Sequence, residues 1–386
     1  MAKPVKVNPA ESYAAFKAIM DAAKARFIGR AEAIDLLALA LLSKQHLYLL
    51  SPPGTAKTAM ISYITKLLGG TFFGVQMRDD TKPEEILGMW DLNALEAGRY
   101  KRRWSRGAIA DVVYINEAFK GSSNALNAML GMLHERRVDD DAGYQDVPLW
   151  TAILDSNELP RDKAALAAFF DRIIFKDRLD YLSASEDFIA LINGRATGEN
   201  DPEPISLPQL MALHEYVKGV TLHENYAEDV LSIRAMLISE GITVSDRTWA
   251  EACGDCDPYG SKRATPIRAS AFYAGRKLTK PRDFLTLAKI MWLDPSDQPK
   301  IRRAVMRATM PDAMKAEEKL SGVVDAYSLA MAGTDRRVTA DAAAMALDAK
   351  REIEGAMASI DEDLRAEIIG KLRKMHADLT SRIMRV

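Results

Sequence analysis

Two cysteines among 386 residues cannot supply a disulfide framework or a four-thiolate metal site. They stand together as Cys253 and Cys256 in CGDC, a spacing that can serve redox chemistry or half of a metal site. With no second pair and no histidine nearby, the sequence reads them as ordinary thiols near a loop. Neither sign of charge is in excess: 52 basic residues face 54 acidic ones, a net charge of −2, which excludes a global attraction to nucleic acid or to membranes. No apolar run reaches the roughly 18 residues of a membrane span. The start, MAKPVKVNPAESYAAF, lacks the apolar segment of a signal peptide, so a cytoplasmic protein is expected. What is present is a globular composition, 48% hydrophobic and 27% charged, in a chain long enough for two or three cores.

The first third alternates between strand and helix patterns. AEAIDLLALALLSKQ (31–45) has helical spacing, LYLL (47–50) is a short buried strand, and TAMISYITKLLGG restarts a helix that Gly69 and Gly70 close. TFFGVQM, IADVVYIN (109–116), VPLWTAILD (147–155) and RIIFKDRL (172–179) read as further strands, with a helical stretch at 124–137. That alternation predicts a parallel sheet between helices. After about residue 184 strand signals vanish. LPQLMALHEYVKG, ENYAEDVLSIRAMLISEG and PRDFLTLAKIMWL have helical periodicity, ATGENDPEPIS (196–206) reads as a link or surface loop, and residues 300–386 read as long helices broken near AGTDRRVT. The expected division is an α/β nucleotide-binding domain (1–183), an α-helical lid (184–300) and a helical C-terminal extension (301–386).

The stretch SPPGTAKT (51–58) carries the chemistry. It follows a strand and opens a helix, as a phosphate loop must, but Ser51 and Ala56 replace the two glycines of Gly-x-x-x-x-Gly-Lys-Ser/Thr. Successive backbone N–H groups at a helix N-terminus bind phosphate whatever the side chains, provided the turn can form. Pro52, Pro53 and Gly54 pre-set that turn. Ser and Ala serve at 51 and 56 if the backbone there is not left-handed. Thr55 and Ala56 complete the loop around the phosphates, Lys57 offers its ammonium, and Thr58 offers a hydroxyl to Mg²⁺. A second element, VVYINEAFK (112–120), is an apolar strand ending in a polar pair. Glu117 is the natural water-orienting base, and Asn116 stands where an Asp usually faces the Mg²⁺ shell. An amide oxygen still accepts from a metal-bound water, with one charge fewer.

With these elements in place, the chain resembles the MoxR family of AAA+ ATPases, and within it the RavA-like branch. FIGR (27–30), SPPGTAKT, TKPEEILG (81–88), GRYKRRWSRG (98–107), INEAFKG (115–121), LNAMLGMLHERR (126–137), SNELP (156–160), FFDRI (169–173), VSDRTW (244–249) and ASAFYAGR (269–276) carry the resemblance, in order, over roughly 300 residues. It implies an AAA+ P-loop NTPase core, a parallel sheet between helices, followed by an all-α lid and, here, a helical tail. It implies ATP and Mg²⁺ as cofactors, Ile28 and Gly29 in an adenine pocket, and Asn157 as the sensor that helps hold the attacking water. By the same resemblance, Arg247 is the lid sensor of the γ-phosphate and Arg172 the arginine finger that reaches a neighbouring subunit. Such proteins form hexameric rings and remodel other proteins, often with a partner carrying a von Willebrand factor A domain.

The chain departs from that family at Ser51 and Asn116, which bear on Mg²⁺ affinity and turnover, and at CGDCDPYGSKRATP, an insertion relative to RavA-like chains. Its tail does not resemble the β-rich module that RavA-like proteins insert there. GRYKRRWSRG interleaves Arg99, Lys101, Arg102, Arg103 and Arg106 with Tyr100 and Trp104. It reads as a solvated hairpin, a loop facing a polypeptide substrate, or, as the least favoured of the three, a grip on nucleic acid. Two functional readings stay open beside the ATPase: a nucleotide-gated scaffold with little turnover, and a ring motor on nucleic acid.

Overall fold

The computed structural model describes residues 8–121, 123–140, 143–159, 169–183, 185–194, 201–356 and 360–385. The expected link at 196–206 and the end of the SNELP motif lie partly outside them. By contact the chain forms two compact units: residues 1–223, 244–279 and 289–298 make the first, and 224–243, 280–288 and 299–386 the second.

The first unit is built on five parallel strands in the order β2-β5-β8-β1-β9. They are β1 (Leu47–Leu50), β2 (Phe72–Gln76), β5 (Val112–Asn116), β8 (Thr151–Ser156) and β9 (Phe175–Arg178). Leu47, Tyr48 and Leu49 are fully buried, as are Ala152, Ile153 and Leu154, because a parallel sheet is covered on both faces and its central strands are apolar throughout. The helix Ala31–Ser43 buries ten of its 13 residues, which explains an apolar run too continuous for a surface helix. Two antiparallel hairpins leave the sheet: β3 (Gly88–Trp90) with β4 (Arg102–Trp104), and β6 (Arg137–Asp140) with β7 (Gly143–Asp146).

The expected strand at 147–155 begins later, at Thr151. Trp150 just before it turns its indole N–H to the Leu41 carbonyl at 2.8 Å, a bond that anchors the strand entrance to the helix Ala31–Ser43. The insertion around CGDC is organised by Arg268, 1% exposed. Its guanidinium donates to the carbonyls of Val220 (2.9 Å), Asp255 (3.1 Å) and Arg263 (3.0 Å) and to the Asp255 carboxylate. Cys253 is buried, Cys256 is exposed, and both are free thiols. No cluster of His, Cys, Asp and Glu able to hold a metal exists among the described residues.

The second unit contains the helix Tyr226–Ser239 and the long helices Pro311–Ala332, Arg336–Ala356 and Glu362–Arg385. The break expected near AGTDRRVT is the turn between the first two of those long helices. Ala313, Ala316, Ala346 and Ala349 line their shared core beside Val323, Ile353, Leu364, Ile368 and Leu372, so small side chains let the backbones approach. PRDFLTLAK (281–289), expected as α-helix, is a 3-10 helix. Its large buried apolar side chains, Phe284 and Leu287, stand three apart, the spacing that a three-residue turn stacks on one side, with Ala288 buried beside them. No helix among the described residues is long and apolar enough to cross a membrane.

Candidate active site

Strand β1 delivers the loop 51–56 to the C-terminal edge of the sheet, where open α/β folds bind ligands. Ser51 N–H donates to the Ser156 carbonyl at 3.0 Å, extending the strand pairing by one residue, and its φ is not positive, so no glycine is needed there. Gly54 has φ +80° and only open space where a Cβ would stand. Ala56 is different. It lies in the left-handed region, φ 63° and ψ 20°, the conformation under which alanine was expected to be a poor substitute. An L-residue there costs about 1–2 kcal/mol. The side chains of Ser51 and Thr55 hydrogen-bond each other at 2.9 Å and brace the turn from inside.

Lys57 opens the helix Lys57–Lys66 and is almost fully buried. Its Nζ donates to the Ser51 carbonyl at 3.0 Å and to Asn157 Oδ1 at 3.2 Å. Asn157 Nδ2 in turn donates to Glu117 Oε1 at 2.5 Å. One amide therefore ties the ammonium at the end of β1 to the carboxylate at the end of β5. Glu117 sits in the left-handed region at φ 56°, a strained turn of the kind that gathers at functional positions and here brings the carboxylate to Asn157. Asn116 ends β5 half-buried, its carbonyl accepting from Met77 N–H at 2.8 Å.

Two residues to which no motif in the sequence assigns a role complete this cluster. Asp155, fully buried near the end of β8, accepts from the Tyr114 hydroxyl at 2.6 Å and from Glu117 N–H at 2.8 Å. It lies 3.8 Å from Lys57 Nζ. Burial pushes its carboxyl above the usual carboxylate range, while the Tyr114 and Glu117 hydrogen bonds and the Lys57 charge pull the other way. Tyr114 also meets the Thr58 hydroxyl at 3.1 Å. Burial, and next the charge of Asp155, raise its phenol. The signal in the sequence was a carboxylate closing an otherwise apolar strand, in TAILDS.

A cavity of about 360 Å³ runs from Gly54, Thr55 and Ala56 to an apolar wall of Phe27, Ile28, Leu182, Phe188 and Leu191. That is the size and character of a small-ligand pocket. Gly29 (φ +69°) abuts this wall: a Cβ there would meet Leu182 at 2.3 Å. The Pro53 carbonyl accepts from the Tyr181 hydroxyl at 3.2 Å at the same mouth. An apolar slot that ends on the loop Gly54–Ala56, with Lys57 and Thr58 following at the helix N-terminus, fits a nucleoside triphosphate with Mg²⁺. The open space at Gly54 is the place where backbone can approach phosphate.

Arg172 and Arg247 are not brought to Lys57. They gather near the start of β9: Arg247 Nη1 pairs with Asp171 at 3.4 Å, next to Arg172 in the chain, and Ser245, capping the helix Asp246–Cys253, also bonds Asp171. Burial first, and then the charges of Arg247 and Arg172, hold His134 below its ordinary pKa. The basic stretch 98–107 forms the far side of the β3–β4 hairpin. Arg102 lies over the Trp90 ring at 3.9 Å, Tyr100 meets that ring edge-on, and Tyr100 and Arg103 stay exposed.

Comparison with known proteins agrees with this geometry. Residues 14–212 match a family described as the MoxR domain in the MoxR-vWA-beta-propeller ternary systems, and residues 260–305 match an AAA lid domain. The chain is 24% identical to the chaperone MoxR1 of Mycobacterium tuberculosis over 266 residues, 67% of this chain and 69% of that protein. It is 27% identical to an uncharacterised protein of Methanocaldococcus jannaschii over 274 residues, 70% of this chain and 68% of the other. A solved structure of a candidate ATPase from Cytophaga hutchinsonii superposes with a TM-score of 0.60 at 17% identity, over 78% of this chain and 96% of that one, a likeness of fold. None of these matches singles out the RavA-like branch.

Proposed function

Because the chain belongs to the MoxR family of AAA+ ATPases, we propose that it hydrolyses ATP with Mg²⁺ as a ring-forming, chaperone-like remodeller of protein partners. The observation that carries this reading is the amide bridge of Asn157 between Lys57 and Glu117, which joins the three groups that phosphoryl transfer needs closest together. Bound Mg·ATP supplies the phosphoryl group and the ion that draws charge from it. The loop from Pro53 to Ala56 cradles phosphate oxygens with the backbone N–H groups of Gly54, Thr55 and Ala56, Pro53 setting the turn, and Lys57 adds its charge. Thr58, and Asn116 through a water, hold the ion. Glu117, aimed by Asn157, takes the proton of the attacking water. Ile28 and Gly29 form the wall for the base.

Arg172 serves the site of the next subunit in a hexameric ring, where positive charge arriving in trans stabilises the transition state, and Arg247 is the lid sensor of the γ-phosphate. The division into a nucleotide domain (1–183), a lid (184–300) and a helical extension (301–386) belongs to the same proposal, as do the RavA-like branch and a cytoplasmic location. The family description couples its MoxR domain to a vWA protein. A von Willebrand factor A domain is accordingly the partner we assign.

The test is phosphate release from Mg·ATP at several protein concentrations, on the native chain and on Glu117→Gln. Turnover should rise more steeply than protein concentration and fall at least about a hundredfold in the variant. Bound ATP without turnover in the native chain would leave the nucleotide-gated scaffold in its place.

A further inference from the structure

Asp155 is a costly residue. Its carboxylate is fully buried, and an ion removed from water is retained only where its partners compensate it. All of its side-chain partners among the described residues belong to the candidate site. Oδ2 accepts from the Tyr114 hydroxyl at 2.6 Å and faces Lys57 Nζ at 3.8 Å, and Oδ1 accepts from Glu117 N–H at 2.8 Å. A core residue with a purely structural task has no reason to direct its carboxylate at these groups. The position before Glu117, where a carboxylate ordinarily stands in this family, is the amide Asn116. The site therefore has an uncharged amide at the end of β5 and carries a carboxylate on the adjacent strand β8.

The direction of the hydrogen bonds gives that charge a task. A carboxylate only accepts, so the Tyr114 proton is committed to Asp155. In the 3.1 Å pair between Tyr114 and Thr58, Tyr114 oxygen must then accept, and Thr58 must donate. With its proton turned towards Tyr114, Thr58 Oγ1 keeps its lone pairs free for a cation. The Glu117 N–H bond meanwhile holds the left-handed turn that points the Glu117 carboxylate at Asn157.

We propose that Asp155 is a positioning residue of the hydrolytic site: it supplies from β8 the charge that Asn116 does not supply from β5, and through Tyr114 it orients the Thr58 hydroxyl to receive Mg²⁺. This inference rests on the ATPase reading above and deepens it. Asparagine at 155 could donate to Tyr114 instead of accepting, which reverses the hydrogen-bond chain and turns the Thr58 lone pairs inward. The change keeps size and shape, so its signature is a metal requirement and not a cavity.

The experiment titrates Mg²⁺ into the full chain with a fluorescent, non-hydrolysable ATP analogue and reads the Mg²⁺ concentration at half-maximal binding. Asp155→Asn should raise that concentration about tenfold to a hundredfold, the usual effect of losing a group that orients a metal ligand. Asn116→Asp placed in the Asp155→Asn background should restore most of it. An unchanged Mg²⁺ requirement in folded Asp155→Asn, or no restoration in the double variant, overturns the proposal. Should Asp155→Asn fail to fold, Tyr114→Phe decides: a raised requirement supports the relay, and an unchanged one removes it. If the native chain binds no analogue at any Mg²⁺ concentration, the ATPase reading itself fails, an outcome distinct from a native chain that binds and a variant that matches it.

Discussion

At the scale of single residues, His46 shows what the fold demands of one imidazole. It is buried before β1, where Nε2 donates to the Leu133 carbonyl at 2.7 Å and Nδ1 accepts from Ala152 N–H at 3.0 Å. Both bonds together require the neutral ring. Burial, with the charge of Arg136 added, pushes its pKa down to about 3. The unfolded chain takes up this proton below about pH 6.5 and the folded chain does not, so stability present above that pH is lost as pH falls towards 3. The slope is up to about 1.4 kcal/mol per pH unit from this group alone. Urea midpoints measured between pH 7 and pH 5 should fall in the native chain and fall less steeply in His46→Gln, which keeps a donor and an acceptor but does not titrate. Equal slopes would mean that His46 is not the group responsible. Nothing in SKQHLYLL marks this histidine. Its partners are more than 80 residues away and are known only once the strands are paired. Lys57, Thr58 and Glu117, by contrast, were legible because a phosphate loop and the strand end that faces it are local patterns. Ala56 was legible in identity and not in conformation, since only the backbone shows the left-handed turn.

At the scale of elements, the strands of the sheet were readable because each is a short apolar run between polar turns, and their ends were not, because pairing decides where a strand begins. The start of β8 is set by Trp150 reaching Leu41, a contact outside any local window. The α-helix expected at 281–289 became a 3-10 helix for a similar reason: burial of Phe284 and Leu287 fits either periodicity, and packing chooses. The β3–β4 hairpin depends on Gly88, whose φ of +110° and ψ of 152° belong to a region that only glycine populates. A Cβ there would stand 2.1 Å from the Arg103 carbonyl oxygen, a backbone atom that cannot swing aside. Gly88→Ala should therefore cost about 1–3 kcal/mol. Because the hairpin lies outside the five-stranded sheet, we expect faster proteolytic nicking within residues 88–107 ahead of global unfolding. Unchanged cleavage in that segment would show the hairpin to be held by the stacked Trp90, Arg102 and Tyr100 alone.

For the whole molecule, the separation of Arg172 and Arg247 from Lys57 makes a prediction that no single chain can meet. Arg172→Ala should bind ATP and lack turnover, as should Glu117→Gln. When the two inactive chains are mixed, a ring that places an intact Arg172 beside an intact Glu117 regains activity, reaching at most about a quarter of the native rate for random mixing of equal amounts. Phosphate release that stays at the background of either variant across mixing ratios would place the finger elsewhere. The order of the sheet has a further consequence, in time. Strand β1, which carries the phosphate loop, pairs on one side with β8 and on the other with β9, and both arrive more than 100 residues later in the chain. At a synthesis rate of roughly 5–20 residues per second, LYLL waits about 5 to 21 seconds with both edges bare before β8 is made, and about 6 to 26 seconds before β9 can cover the second edge. The nascent chain therefore carries its most apolar strand as its most exposed one, and the candidate nucleotide site, whose loop follows that strand, cannot be fixed in place until the chain has passed residue 178.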